Sequence, residues 1–384
     1  MRNMAYVVTV NSAEPIEGKD RIHYIGFEEN GYKVIASKDV KVGDTVVYFE
    51  VDSLLPDEPR FEFLKARAWK ESENASLIKA MKMCGLRSFG LVMTFEELGI
   101  KKAKPGKDLT EELKVRKYEP IEDASPTNKK CKHPFIKFLM KFKLTRNLGR
   151  HLLSKTKIKG DFPLHLISKS DEDNILNNKG WFEKYKNEPC YVSMKMEGQS
   201  VTAVLEGKNF KVFGRNTIGT EEHFNFFNEM KLEKKMKDLM KREGWKSLAI
   251  QGEFCSPKVQ KGIYKNGTHF YVYKINVDGS TVDFYNMKTL CERLELETVP
   301  IMYELKDGFG TMFKSVEEMQ EFVEHQWFRV GKEKIEWVNY IDIPLEPSRK
   351  NNELHRAEGM VVCGLNKKDW SFKVKSEEYQ IEGI

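Results

Sequence analysis

A chain of 384 residues, 40% apolar and 32% charged, has room for two or three domains, each with its own core. It contains no run of about 18 apolar residues, and its start, "MRNMAYVVTV", lacks the apolar stretch of a signal peptide, so no membrane association or export is expected. The net charge of +6 is concentrated: residues 128–160 hold eleven Lys or Arg and no acid, leaving 53 basic against 58 acidic residues elsewhere.

In chain order, "AYVVTV" reads as a strand. "RIHYIGFEE" and "YKVIAS" flank Asn30-Gly31, a hairpin signal. "DTVVYFEVDS" and "RSFGLVMTF" add further strands, giving about five within the first 100 residues and little helix, as in a small barrel. An OB-fold and an SH3-like barrel give similar strand strings. The expected domains are an OB-like barrel over 1–100, a connector over 101–160 and a larger domain over 161–384.

The connector contains the basic segment 128–160. Such a block suits nucleic acid or an anionic surface; equally, it suits a bracing helix packed through Phe135, Leu139 and Phe142. Beyond residue 180 strands return: "SVTAVLEG" with "NFKVFGRN", "SLAIQGEF", and "HFYVYKINV" with "STVDFYN" across Asp278-Gly279. Helical periodicity marks "NEMKLEKKMKDLMKREG" and "SVEEMQEFVEHQW", and "EGMVVCGL" with "WSFKVKS" forms a last hairpin. Antiparallel strands with segregated helices give an α+β domain.

Six cysteines, with no CxxC pair among them, argue against a zinc ribbon and suit a reducing cytoplasm. No GxxxxGK[ST] loop and no HExxH helix occurs, and the eight histidines read as structural or surface residues. The chemistry lies elsewhere. Lys195-Met196-Glu197-Gly198 interrupts two strands; Arg215 ends the next hairpin; Glu253 ends an apolar strand; Glu358-Gly359 begins another; Lys373 and Lys375 share one face of the last strand. A lysine amine attacks only when deprotonated, from a reference pKa of about 10.4. Neighbouring cations, Lys373 and Lys375 or a divalent metal, are expected to lower that pKa and to offset charge on a phosphorus centre. Carboxylates at 197, 253 and 358 suit Mg2+ or Mn2+ held through water. Glycines such as Gly198 and Gly359 let backbone approach a nucleotide. The set specifies phosphoryl-group transfer through a lysine.

The order KMEG, GRN, QGEF, the aromatic strand "HFYVYKI", EGMV and KVK resembles motifs I, Ia, III, IIIa, IV and V of the covalent nucleotidyltransferases, the polynucleotide ligases and RNA capping enzymes. Residues 4–100 and the stretches "FPLHLISKSDE" and "IQGEFCSPKVQKG" are similar to ATP-dependent RNA ligases that carry an N-terminal OB domain. The resemblance implies that Lys195 is the nucleophile that takes AMP from ATP. Glu253 and Glu358, helped by Glu197, would position nucleotide and metal waters, and Lys373 and Lys375 would bind phosphates. Phe270 or Tyr273 would stack on adenine, and Arg215 would contact ribose, phosphate or the RNA end. The implied partner is RNA with 3′-OH and 5′-phosphate ends, as at a nick in a duplex, and the implied enzyme is a cytoplasmic monomer. Three departures from the motifs are Glu197 and Lys274, where related enzymes often carry Asp, and the absence from "KSDEDNILN" of an Arg near Asn174, where one is expected to contact phosphate.

DNA ligases and capping enzymes place their OB domain after the catalytic one, and too few residues follow Lys375 for that here. NAD-dependence would need a nicotinamide-binding region ahead of the domain. A non-catalytic RNA-binding protein on a ligase scaffold is the alternative from another class, against which the joint presence of Lys195, Glu253, Glu358, Lys373 and Lys375 counts.

Overall fold

The computed structural model describes residues 3–118, 162–170, 172–178, 180–215, 218–259, 264, 266–331, 335–339, 354–366 and 370–382. The basic segment 128–160 lies outside them.

The N-terminal half is organised by one long strand, Ala5–Ile16, paired on one side with Lys19–Phe27 and on the other with Thr45–Phe49. The five-stranded sheet runs Leu91–Met93, Thr45–Phe49, Ala5–Ile16, Lys19–Phe27, Lys33–Ser37. Its edges approach each other where Phe89 N donates to Lys33 O (3.0 Å), so the sheet curls into a nearly closed barrel. "AYVVTV" is apolar apart from Thr9 because both its faces are covered. Val8 and Val10 fill the interior with Ile25, Phe27 and Tyr48, while Ala5 and Val7 pack outward on Phe61, Phe95 and Leu109.

That outer core carries the barrel unit past the expected boundary at residue 100. Leu109, Leu113 and Val115 belong to it, Thr110 Oγ1 accepts from Met4 N (2.9 Å), and the strand Arg116–Lys117 pairs with Ser53–Pro56. The part of the expected connector from 101 to 118 is therefore part of the barrel unit. The Asn30-Gly31 hairpin forms, but not as a two-residue turn. Asn30 is fully buried, donating to Tyr6 Oη (3.0 Å) and accepting from Tyr32 N (3.0 Å). Gly31 N donates to Leu176 O (2.8 Å) and Tyr32 Oη to Asn177 Oδ1 (2.8 Å), so this loop is a seam between barrel and C-terminal domain.

The C-terminal domain is built on two large sheets, with a small third one of Ile335–Asn339, Gln326–Val330 and Leu354–Arg356 among the described residues. One runs Asp173–Asn174, Ser371–Lys375, Gly359–Gly364, Cys190–Met194, Ile301–Leu305, antiparallel except for the parallel pairing of its first two strands. The other runs Asn209–Gly214, Gln199–Glu206, Ser247–Cys255, His269–Val277, Ser280–Thr281. Helices Glu221–Glu229, Leu232–Glu243 and Phe284–Leu294 cover one face of this second sheet through Phe227, Met236, Leu239 and Leu290. The other face carries Ser200, Thr202, Gln251 and Glu253, paired across adjacent strands.

"STVDFYN" continues as a strand only through Ser280–Thr281. The Asp283 carboxylate then accepts from Asn286 N (2.9 Å) and caps the helix Phe284–Leu294, a local bond that ends the strand. A short helix, Glu377–Glu382, follows the last strand and has no counterpart in the sequence reading. Among the described residues no helix is long and apolar enough to cross a membrane.

Candidate active site

Lys195 is the first residue past the end of the Cys190–Met194 strand. Its own N–H donates to Gly359 O (2.9 Å), which fixes the backbone of Lys195 to the start of the neighbouring strand. The side chain then meets the residue just before that glycine: Lys195 Nζ lies 2.7 Å from Glu358 Oε2. The other oxygen of the same carboxylate, Oε1, lies 3.0 Å from Lys375 Nζ. The pairing Gly359↔Lys375 makes this geometry a consequence of strand register. Lys373 lies two residues back on the same face as Lys375, opposite Val361, while the alternate residues Phe372 and Val374 enter the core.

Burial opposes ionisation of Glu358, yet the flanking Lys195 and Lys375 ammoniums hold its carboxyl down at about 2. Burial likewise works against a charged Lys195. The carboxylates of Glu358, Glu253 and Glu172 outweigh it and hold the amine above its ordinary value. This corrects the expectation that cations depress the lysine. Lys375 is spent on Glu358, so the net field at Lys195 is negative. Glu172, in the segment entering the first sheet, was missed; "KSDEDN" offers three carboxylates in sequence, and only the fold selects one of them.

Glu253 comes from the second sheet. Gln199–Glu206 pairs with Ser247–Cys255 so that Ser200 is opposite Glu253. Gly198 was expected to admit a nucleotide. What occupies its Cβ position is Glu253 Cγ, 2.8 Å away, and Phe254 O, 2.7 Å away, so this glycine makes room for the motif glutamate. Gly359 has φ +149°, and a Cβ there would fall 2.0 Å from Val374 O; it too serves the approach of its own chain. Glu197 is nearly buried, and its carbonyl faces Cys255 Sγ (3.9 Å).

The two aromatic candidates separate. Phe270 pairs with Phe254, and both point into the helix-covered core, where Phe270 meets Phe227 edge-to-face at 5.0 Å. Phe270 is a core residue on the face away from Glu253, which corrects the stacking assignment. Tyr273 sits at a bulge between the pairs Gln251↔Lys274 and Gly252↔Val272, and a bulge re-aims the side chain it carries. Its hydroxyl is 2.7 Å from Ser200 Oγ and 2.9 Å from Ser170 Oγ, on Glu253's side of the sheet. Burial, with Glu253 nearby, raises its phenol. Lys274 Nζ donates to Ser168 Oγ (2.7 Å). Arg215 follows the Asn209–Gly214 strand, and the pairs Val201↔Gly214 and Val201↔Gly252 bring it to the sheet end that carries Ser200 and Glu253.

Residues 188–375, which hold this whole constellation from Lys195 to Lys375, match the RNA ligase family. That segment belongs to the family. Residues 4–95 match an OB-fold domain family. A structure of a Naegleria gruberi RNA ligase mutant with AMP and Mn aligns with a TM-score of 0.74 at 21% identity, covering 99% of this chain and 98% of that chain. Another mutant of that ligase, with ATP and Mn, aligns at 0.72 and 22% identity over 99% and 97% of the two chains. The same ligase with PPi aligns at 0.72 and 21% identity over 99% and 98%. At these identities the likeness shows a common fold, OB barrel first and ligase domain second. Comparison with curated proteins finds no match.

Proposed function

We propose that this RNA ligase family member joins RNA 3′-OH and 5′-phosphate ends at the expense of ATP, through a lysine–AMP intermediate on Lys195. The observation that carries the reading is the Lys195–Glu358–Lys375 chain of contacts at 2.7 and 3.0 Å, within the segment matching the family. The solved relatives that hold ATP or AMP support the nucleotide assignment.

In the first step the Lys195 ammonium gives its proton to solvent and the freed Nζ attacks the α-phosphorus of ATP; a P–N bond forms as the bond to pyrophosphate breaks. An oxygen of the RNA 5′-phosphate then attacks the AMP phosphorus, and the Lys195 amine leaves. The 3′-OH finally attacks the activated 5′-phosphate, and AMP departs. Glu358, already ionised at neutral pH, holds Lys195 rather than accepting its proton. Lys375 and Lys373 offset charge that builds on the phosphates. Tyr273 packs on adenine from the Glu253 side, and Arg215 reaches the ribose, phosphate or RNA end.

Glu197, Glu253 and Glu358 are hard oxygen donors suited to Mg2+ or Mn2+. Among the described residues no three His, Cys, Asp or Glu groups converge on a direct metal site, so these carboxylates fit an ion held through its waters. Such an ion supplies positive charge that offsets the carboxylates keeping Lys195 protonated and the charge of the triphosphate. A cytoplasmic monomer acting on nicked duplex RNA, with the barrel gripping the duplex, completes the proposal.

The test is incubation with α-labelled ATP, α-labelled GTP and labelled NAD in turn. Acid-stable label on the protein from ATP alone is expected. Label from GTP means capping chemistry, and no label from any donor favours a non-catalytic RNA-binding protein.

A further inference from the structure

The segment 162–170 lies across the polar face of the second sheet. Its Leu166 and Ile167 pack on Val204, Phe213 and Ala249, which share that face with Thr202 and Gln251 by strand alternation. Side chains of the strand His269–Val277 then fasten it at three points. Asn276 Nδ2 donates to Leu166 O (2.8 Å), Lys274 Nζ donates to Ser168 Oγ (2.7 Å), and Tyr273 Oη lies 2.9 Å from Ser170 Oγ. The same phenol oxygen lies 2.7 Å from Ser200 Oγ, on the strand Gln199–Glu206, where Ser200 is opposite Glu253. Tyr273 therefore ties the segment to the sheet beside a motif glutamate. Lys274, a departure from the motifs, helps to hold the same segment down.

At a bulge the ladder does not set the direction of the extra residue, and a tyrosine ring can rock about its broad second torsion. The two serines hold the far end of this ring. A phenol carries one O–H and lone pairs on the same oxygen, so it can donate to one serine while accepting from the other. A ring held in that way is ordered before a ligand arrives. A flat base that packs on it does not bear the cost of ordering it. Ser170 and Ser200 can thus act on nucleotide binding without touching the nucleotide.

We propose that Ser170 and Ser200 are positioning residues for adenine recognition, holding the Tyr273 ring at the angle on which the base packs, and that the segment 162–170 is thereby a working part of the nucleotide site. This rests on the reading of Tyr273 as the surface that adenine meets. It extends that reading to two hydroxyls that the motifs leave unassigned.

The test uses the full chain without RNA. It compares wild type, Ser170→Ala with Ser200→Ala, Tyr273→Phe, the triple variant that combines them, and Tyr273→Ala. Label transfer from α-labelled ATP gives the half-saturating ATP and the limiting rate of each. Tripolyphosphate, which has no base, is titrated as a competitor. The serine pair and Tyr273→Phe should each raise half-saturating ATP about 3- to 10-fold, the scale of a lost hydrogen bond. Their limiting rates should stay within about 2-fold of wild type, and tripolyphosphate should inhibit all of them alike. The triple variant should be at most about 2-fold worse than Tyr273→Phe, because without the phenol hydroxyl the serines have nothing to hold. A general loss of packing would instead lower the limiting rate, weaken tripolyphosphate and accumulate across the variants. Wild-type half-saturation in the serine pair, losses that add in the triple variant, or weakened tripolyphosphate overturns the proposal. Tyr273→Ala separates the two layers. An unchanged ATP dependence there refutes the adenine reading of Tyr273, whereas raised half-saturation there with a normal serine pair refutes only this inference.

Discussion

The Glu358 carboxylate bridges Lys195 and Lys375, one oxygen to each ammonium at 2.7 and 3.0 Å. Lys195, the proposed nucleophile, therefore rests as a held cation, and whatever starts the proposed reaction must loosen that hold.

The pH dependence of adenylylation follows from this contact. With its amine held above the ordinary value, Lys195 is mostly protonated at neutral pH, so label transfer at low metal should climb about 10-fold per pH unit from pH 7 to 9. Glu358→Gln removes the largest stabilising charge. Its plateau should fall by about 100-fold or more, yet its rising limb should move to lower pH. Rate against pH for both proteins checks this, and a limb that moves to higher pH contradicts the electrostatic account.

Acid stability gives a second reading of the same residue. Glu358 is held down at about 2 in the fold, so its contribution is complete above its unfolded value, near 4.5, and is lost as pH falls toward 2. Urea unfolding of wild type should weaken across that window. Glu358→Gln should be less stable at pH 6 and should show a shallower decline on acidification.

Phe270 and Tyr273 should respond in opposite ways. Phe270→Ala empties part of the core and should cost about 3–5 kcal/mol in urea unfolding, with little change in the KM for ATP of the protein that remains folded. Tyr273→Ala should raise that KM roughly 10-fold or more, the scale of a lost base–aromatic contact. A normal KM in Tyr273→Ala places adenine elsewhere.

The basic segment supplies a prediction from charge alone. Changing Lys137, Lys141, Lys143 and Arg146 together to Gln should flatten the log–log salt dependence of RNA binding by up to about 3 to 4 units, at roughly 0.9 per duplex phosphate contact. Adenylylation by ATP should be nearly untouched. An unchanged slope with lowered adenylylation means that the segment braces the domains instead.

Much of this site is legible in the sequence because its residues lie at strand ends, where alternation stops and a charged side chain stands out. Lys195, Glu253 and Glu358 are visible in that way, and register alone brings Lys195, Glu358 and Lys375 together. Face assignment is harder: "HFYVY" is apolar on both sides, and only the bulge beside Gly252 decides that Tyr273, not Phe270, joins Glu253. The sign of the Lys195 shift was hidden for a different reason. Cations and carboxylates were both expected nearby, and the outcome depended on Lys375 already being engaged by Glu358. The helix Glu377–Glu382 carries a weak local sign, Ser376 followed by two glutamates, the pattern of a helix start. Six residues at a chain end gave no periodicity to read, and the partner that fixes them, Arg87, lies almost 300 residues away, at |i−j| of 290 and 291.

The most direct measurement is peptide mass spectrometry after incubation with ATP and Mn2+ in the absence of RNA. The account predicts one peptide heavier by AMP, with the adduct on Lys195, discharged when nicked RNA carrying a 5′-phosphate is added and absent from Lys195→Ala. An adduct on any other lysine, or a Lys195 adduct that RNA ends fail to discharge, contradicts it.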